Sequence, residues 1–478
     1  MSIKNDINKI LLKKFPHLEI SVVKYSEVQT DNESKRIDSE YFKQIYLRVV
    51  HLIKKRDYIQ LKDIDITIKH PAEIERNYIE NGIWFVRAQN IKSLSLDINN
   101  KVFISQEDAD KLSKNIINKK DILMIRTGNC GDCVIYLEKE NAIASSHIFI
   151  IRNKFFNQYF LSVFFSCKYG KLQIERGKYG SLQPEVATSY LRNIYIPMFS
   201  KEFQLEIEIM VKESYKYLED SKKLYKEAKN ILNKDLSFDK LTFIEKSKNN
   251  NLNISIHNFQ DSYIKTGRLD AEYYQNKYDI IEKIIKDYRK GYCKLIDIGF
   301  FTNGSFIPES FYTEQAKRAY IRIKELSLDS PINIKECIYI NDKFKNSNET
   351  IVKENDFVIA TIGNTIGKIN LIPKELDGSF ISNNTSRFRL TDKNVNPIFL
   401  ELLLRNSIVQ EQIQREFTQT AQPKISNNSL ENIIIPKIDY IIQKKIEYRI
   451  KKSLELRDKS KELLENAKVK IENAIINS

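Results

Sequence analysis

Two short stretches hold residue types that could do chemistry. "GNTIGKIN" at 363–370 offers glycines and a lysine able to cradle a phosphate, and Cys130 with Cys133 forms a C-x-x-C pair able to ligate a metal. A Walker-type phosphate loop needs four residues between its glycines and a Ser or Thr after the lysine to reach magnesium. Here three residues intervene and Ile369 follows Lys368. A structural zinc needs a second ligand pair at suitable spacing, and Cys167, Cys293, Cys337 and the five histidines supply none. The Asn-Pro-Pro-aromatic signature of adenine methyltransferases is missing too, because "NPIFL" at 396–400 lacks the second proline. With no catalytic constellation, the chain is expected to bind rather than react, and to carry no cofactor or metal of its own.

The bulk numbers bound what it binds. At 478 residues the chain exceeds one ordinary core, so two or more domains are expected. A hydrophobic fraction of 42% with 29% charged residues suits a soluble globular protein. No apolar run of membrane-spanning length occurs, and no membrane partner is expected. The opening "MSIKNDINKILLKKFPHLEI" breaks its apolar stretch with charges, unlike a signal peptide. Five cysteines, an odd number, fit free thiols in a reducing cytoplasm. The net charge of +14 suits a polyanion, with nucleic acid first, but the same richness in Lys, Ile and Asn is what AT-rich codons produce.

The organisation of the chain is more telling. "GSLQPEVATSYLRNIYIP" (180–197) and "TAQPKISNNSLENIIIP" (420–436) are variants of one segment, and their Gln-Pro pairs lie 422 − 183 = 239 positions apart, half the chain. Other pairs follow in the same order: "RIDSEYF" (36–42) with "RLDAEYY" (268–274), and "WFVRAQNI" (84–91) with "AYIRIKEL" (319–326). "DILMIRTGNCG" (121–131) pairs with "DFVIATIGNTIG" (356–367), an apolar strand entering a Gly-Asn turn, and "NQYFLSVFF" (157–165) pairs with "NPIFLELLL" (396–404). Even the lead-ins "ISVVKYSEV" (20–28) and "ISIHNFQDS" (254–262) correspond. So long a period means a tandem duplication of a domain rather than a solenoid.

Each copy ends in a long charged segment with a heptad seam. Ile207, Val211, Ser214, Leu218, Ser221, Tyr225, Ala228 and Leu232 alternate in steps of four and three; so do Ile446, Ile450, Ser453, Arg457, Ser460, Leu464, Ala467 and Ile471. An a/d seam over about four heptads asks for a partner helix, and the matching small residues would let two such helices approach closely. Antiparallel pairing of the two is expected, with Arg457, opposite Leu218 in the other copy, at a solvated part of the seam. A helix of about 33 residues spans about 50 Å, roughly 15 base pairs of DNA at about 3.4 Å each.

The expected fold is therefore α+β: two similar mixed α/β domains, pseudo-twofold by tandem duplication, separated by two long antiparallel coiled-coil helices. The expected boundaries are a lead-in over 1–35, domain 1 over 36–200, a spacer helix over 201–235, a connector over 236–267, domain 2 over 268–438 and a second spacer helix over 439–478.

This layout, with "RLDAEYY" opening a domain, the Gly-Asn turn, the Gln-Pro segment ending "NIIIP" and the heptad helix after it, resembles the specificity subunit of type I restriction–modification systems. The resemblance covers nearly the whole chain, twice over. It implies two target-recognition domains, each reading one half of a bipartite site in double-stranded DNA. It also implies that the paired helices dock two adenine-methyltransferase subunits, joined by endonuclease/translocase subunits. S-adenosylmethionine, ATP and magnesium would belong to those partners. The first copy departs from the pattern where "SHIFIIR" stands against "NTSRFRL". The other readings of a two-headed non-enzymatic chain are a protein scaffold and an RNA-binding module.

Base edges are read by Arg, Lys, Asn and Gln, while Ser, Thr and Tyr mostly hold phosphate. Such residues at corresponding loops are Arg87, Gln89, Asn90, Arg126, Asn129, Ser145, His147, Lys178, Tyr179, Ser181 and Gln183 in the first copy. The second copy offers Arg322, Lys324, Asn364, Asn383, Asn384, Arg387, Gln419, Thr420, Gln422 and Lys424. Gln183 and Gln422, identical in both, also suit structural or phosphate contacts, and Asn129 and Asn364 also suit left-handed turn positions.

Overall fold

The computed structural model describes residues 7, 10–30, 32, 35–75, 77–98, 100–238, 255–344, 351–417 and 423–477. Residues 239–254, half of the expected connector, and Gln419, Thr420 and Gln422 lie outside the described residues. The chain divides into two compact units, one of residues 1–219 with 456–478 and the other of residues 220–455.

In the first unit the apolar run at 122–125 explains the layering. It is a central strand buried on both faces: Ile122 and Met124 enter a core with the helix Gln158–Ser166, while Leu123 and Ile125 enter a second core. Its sheet runs in the order Ile66–Lys69, Ile148–Asn153, Ile122–Ile125, Cys133–Ile135, all antiparallel. Strands of the second sheet, with Trp84 and Val86 from Ile83–Val86 and Ala142 and Ala144 from Ala142–Ala144, complete the second core. Those two strands run parallel. Asn157 caps the buried helix, its Oδ1 accepting from the N–H groups of Tyr159 (2.9 Å) and Phe160 (3.3 Å), as orphan donors at a helix start require.

The second unit is built the same way. Its all-antiparallel sheet runs Gly299–Asn303, Thr385–Leu390, Phe357–Ala360, Ile369–Leu371. Phe357 and Ile359 face the helix-side core, and Val358 and Ala360 face the core of the second sheet. Arg318–Ile321 and Phe380–Ile381 are the parallel pair there. Asn396 caps the helix Pro397–Leu404 through Phe399 N–H (3.0 Å).

The polar braces are shared as well. Gln173 bonds both backbone groups of Tyr195 (3.0 and 2.9 Å), and Gln412, 239 positions on, does the same for Ile434 (3.0 and 3.1 Å). Asp121 takes a two-point bond from Arg152 (2.7 and 2.6 Å), as Asp356 does from Arg389 (2.8 and 2.7 Å). The "RIDSEYF" and "RLDAEYY" segments are clamped alike, with Arg176 Nε donating to Tyr41 O and Arg415 Nε to Tyr273 O, each at 3.0 Å.

Two long helices, Lys201–Asp235 and Tyr440–Ile476, carry the heptad seams. Within the first unit the Ser214 and Ser460 hydroxyls meet at 2.8 Å, and Glu206 pairs with Lys470 at 2.7 Å. Within the second unit Ser221 meets Ser453 at 3.0 Å, and Glu227 lies 3.4 Å from Arg449. In both cases one helix number rises as the other falls, so the pairing is antiparallel. All four serines are buried, as are Ile207, Val211, Ala228, Leu232, Ile446, Ile450, Ala467 and Ile471, while Leu218, Tyr225, Arg457 and Leu464 are half-buried.

Candidate nucleic-acid interface

The Gly-Asn turn and the Gln-Pro segment, far apart in sequence, are neighbours in space. In the first unit Gly128 N–H donates to Pro184 O (2.8 Å) and Val186 N–H to Arg126 O (3.2 Å). Arg126 N–H in turn donates to His147 O (2.9 Å), and Ser145 N–H to Val86 O (2.9 Å). These four bonds line up segments around 86–90, 126–131, 145–147 and 178–186 along one edge. The second unit repeats them: Gly363 N–H to Pro423 O (2.9 Å), Ile425 N–H to Thr361 O (3.0 Å), Thr361 N–H to Asn384 O (3.0 Å) and Ser382 N–H to Ile321 O (2.9 Å).

The turn itself depends on glycine. Gly128 (φ +84°) and Gly363 (φ +73°) occupy the left-handed positions, where a side chain would be strained. That corrects the left-handed reading of Asn129 and Asn364, which follow the glycines with ordinary φ and stand exposed.

The candidate residues sort by exposure. Gln89, Asn129, Tyr179, Ser181 and Gln183 are exposed in the first unit, and Lys324, Asn364 and Asn383 in the second. Arg87, Arg126, His147 and Lys178 are half-buried, as are Arg322 and Asn384, whereas Lys424 is exposed. Asn90, Ser145 and Arg387 are buried. Asn90 braces its loop, its Oδ1 accepting from Arg87 N–H (3.0 Å) while its Nδ2 donates to Asp97 O (3.0 Å) and Asn100 O (3.2 Å). Arg387 turns into the body of its unit, donating to Ile351 O (2.7 Å) and Thr302 Oγ1 (2.9 Å). Arg322 pairs with buried Glu325 at 2.7 Å. At the Gln-Pro segment the units differ most: Arg126 Nη1 bonds Glu185 Oε2 at 2.8 Å, and Thr361 and Lys424 stand at the same two places in the second unit.

Two residues on the first edge escaped the sequence reading. His70 packs its ring on Phe149 (6.1 Å between centroids), and burial together with the Arg126 charge holds its pKa below the ordinary histidine value. Its signal was the His-Pro step that ends the strand Ile66–Lys69. Leu182 is 100% exposed between Tyr179 and Glu185, whose backbones bond each other in both directions (2.9 and 2.8 Å).

The stretches that suggested phosphate or metal chemistry have other work. Gly367 O accepts from Gln410 Nε2 (3.0 Å), packing "GNTIGKIN" against a helix. Cys130 Sγ lies 2.8 Å from Arg126 O and 3.1 Å from Pro184 O, inside the turn, and burial pushes the Cys133 thiol up to about 12. Among the described residues no group of three or more His, Cys, Asp or Glu is arranged to hold a metal, and no helix is long and apolar enough to cross a membrane.

Comparison with known proteins classes one segment of the chain. Residues 57–230 match the family described as the type I restriction modification DNA specificity domain, so this segment is such a domain. The match spans 174 of the chain's 478 residues. Among solved structures, the S subunit of a type I system from M. genitalium is 14% identical, with 88% of this chain and 94% of that one covered at a TM-score of 0.40. The HsdS subunit from Thermoanaerobacter tengcongensis is 12% identical, with 88% and 96% covered at a TM-score of 0.27. No curated protein matches the chain.

Proposed function

We propose that the chain reads a bipartite double-stranded DNA site, each unit gripping one half-site with the edge formed by its Gly-Asn turn and Gln-Pro segment. The observation that carries this reading is that one set of four backbone bonds builds the edge twice, while the side chains presented on it differ. A repeated frame with changed contacts is what two unlike half-sites require. The exposed Asn, Gln and Lys residues suit base edges and phosphates, and a net charge of +14 favours the polyanion.

In this reading the helices Lys201–Asp235 and Tyr440–Ile476 set the spacer and dock two adenine-methyltransferase subunits, with endonuclease/translocase subunits joining them in the cytoplasm. S-adenosylmethionine, ATP and magnesium act on those partners. Mapping methylated adenines in cells with and without the gene tests it. Loss of methylation at one split sequence is expected on deletion; an unchanged map would refute the proposal and favour a scaffold or an RNA-binding role.

A further inference from the structure

The difference at the Gln-Pro segment carries an inference about specificity, which rests on the DNA-reading proposal. Arg126 is held from two sides: Nη1 donates to Glu185 Oε2 (2.8 Å) and Nε to Ser146 O (3.2 Å). Its Nη2 and one hydrogen of Nη1 are left without a bond among the described residues. Glu185 is itself fixed. Its backbone exchanges two bonds with Tyr179 (2.9 and 2.8 Å), and its carboxylate accepts from the Tyr179 hydroxyl (3.4 Å).

A guanidinium docked in this way has little rotamer freedom left to lose when a partner arrives. Its unused hydrogens suit the two acceptors, O6 and N7, that guanine presents in the major groove. We propose that Glu185 is a specificity-determining positioning residue, holding Arg126 as the reader of a guanine in the half-site of the first unit. The second unit, with Thr361 and Lys424 at the same backbone positions, cannot form the pair and lacks this reader.

The test uses the full chain in the complex purified through a tag on it, with a randomised DNA duplex pool as the probe. The wild type is expected to enrich two separated segments. Arg126→Ala and Glu185→Ala should lose preference for the same base pair in one segment by roughly ten-fold or more, leaving the other segment unchanged. The double substitution should do no more than either alone, and Glu185→Gln, which keeps an acceptor oxygen, should restore part of the preference. A merely structural Glu185 would degrade both segments or neither. Base preferences intact in Glu185→Ala, or binding tightened equally to all sequences, would overturn the inference. A wild type that enriches no sequence would overturn the DNA-reading proposal itself, a result distinguishable from the others.

Discussion

The two units agree where side chains brace the fold and differ along the edge. Asn157, Gln173, Gln204, Ser214 and Ser221 recur 239 positions later as Asn396, Gln412, Gln443, Ser453 and Ser460, each in the same bonding role. Along the edge, Arg126 and Glu185 give way to Thr361 and Lys424, and His147 gives way to Asn384. Buried polar groups must find partners or cost about 1–3 kcal/mol each, so a brace that satisfies two backbone groups cannot drift after duplication. An edge residue facing water has no such debt. The duplication therefore kept its frame and left the surface free to diverge.

That comparison can be broken at the frame. Gln173→Leu or Gln412→Leu strands a buried N–H and a buried carbonyl, on Tyr195 or Ile434 respectively. Each should cost roughly 2–5 kcal/mol, and the two losses should be similar in urea unfolding of the full chain. A negligible loss in one unit would show that the braces are not equivalent. A smaller effect is expected at the edge. Lys424→Gln should weaken DNA binding several-fold for all sequences alike and reduce the salt slope by about 0.9, as loss of one phosphate contact does. Anisotropy titrations at several salt concentrations measure it, and an unchanged slope would remove Lys424 from the phosphate contacts.

A third difference is confined to acid. Glu208 and Glu447 are equivalent, one pairing with Lys212 (2.5 Å), the other with both Lys444 (2.9 Å) and Lys451 (2.8 Å). Burial alone would raise the Glu447 carboxyl, but bonds from Lys444, Lys451 and Asn396 outweigh it and hold the pKa at about 2. A carboxyl with its folded pKa depressed adds stability above its unfolded value of 4.5, and that stability is lost as pH falls toward about 2. Glu447→Gln should therefore flatten the decline of the unfolding midpoint between those values. Glu208→Gln should flatten it less, since Glu208 is lowered with one lysine beside it.

Much of the frame was legible because it was written twice. The glycines of the turn and the serines of the seam survived because each meets a steric or hydrogen-bonding demand. The apolar runs at 122–125 and 357–360 announced strands, and the fold buries both faces of each. The edge was harder to read. Asn90, Ser145 and Arg387 have the residue types that read DNA, yet they are buried, and Asn90 and Arg387 are consumed by internal bonds. Residue type gives no direction for a side chain beside a strand end. The Arg126–Glu185 pair spans 59 positions and has no periodic signature, so only the fold reveals it.

The claim that each unit grips its own half-site is tested most directly by an internal exchange. Residues 36–200 are replaced by residues 268–438, with both long helices kept, and methylated adenines are mapped in cells carrying the chimera. Two copies of the second unit's half-site should then replace the two unlike halves. An unchanged map, or a new sequence in both halves, would contradict the account.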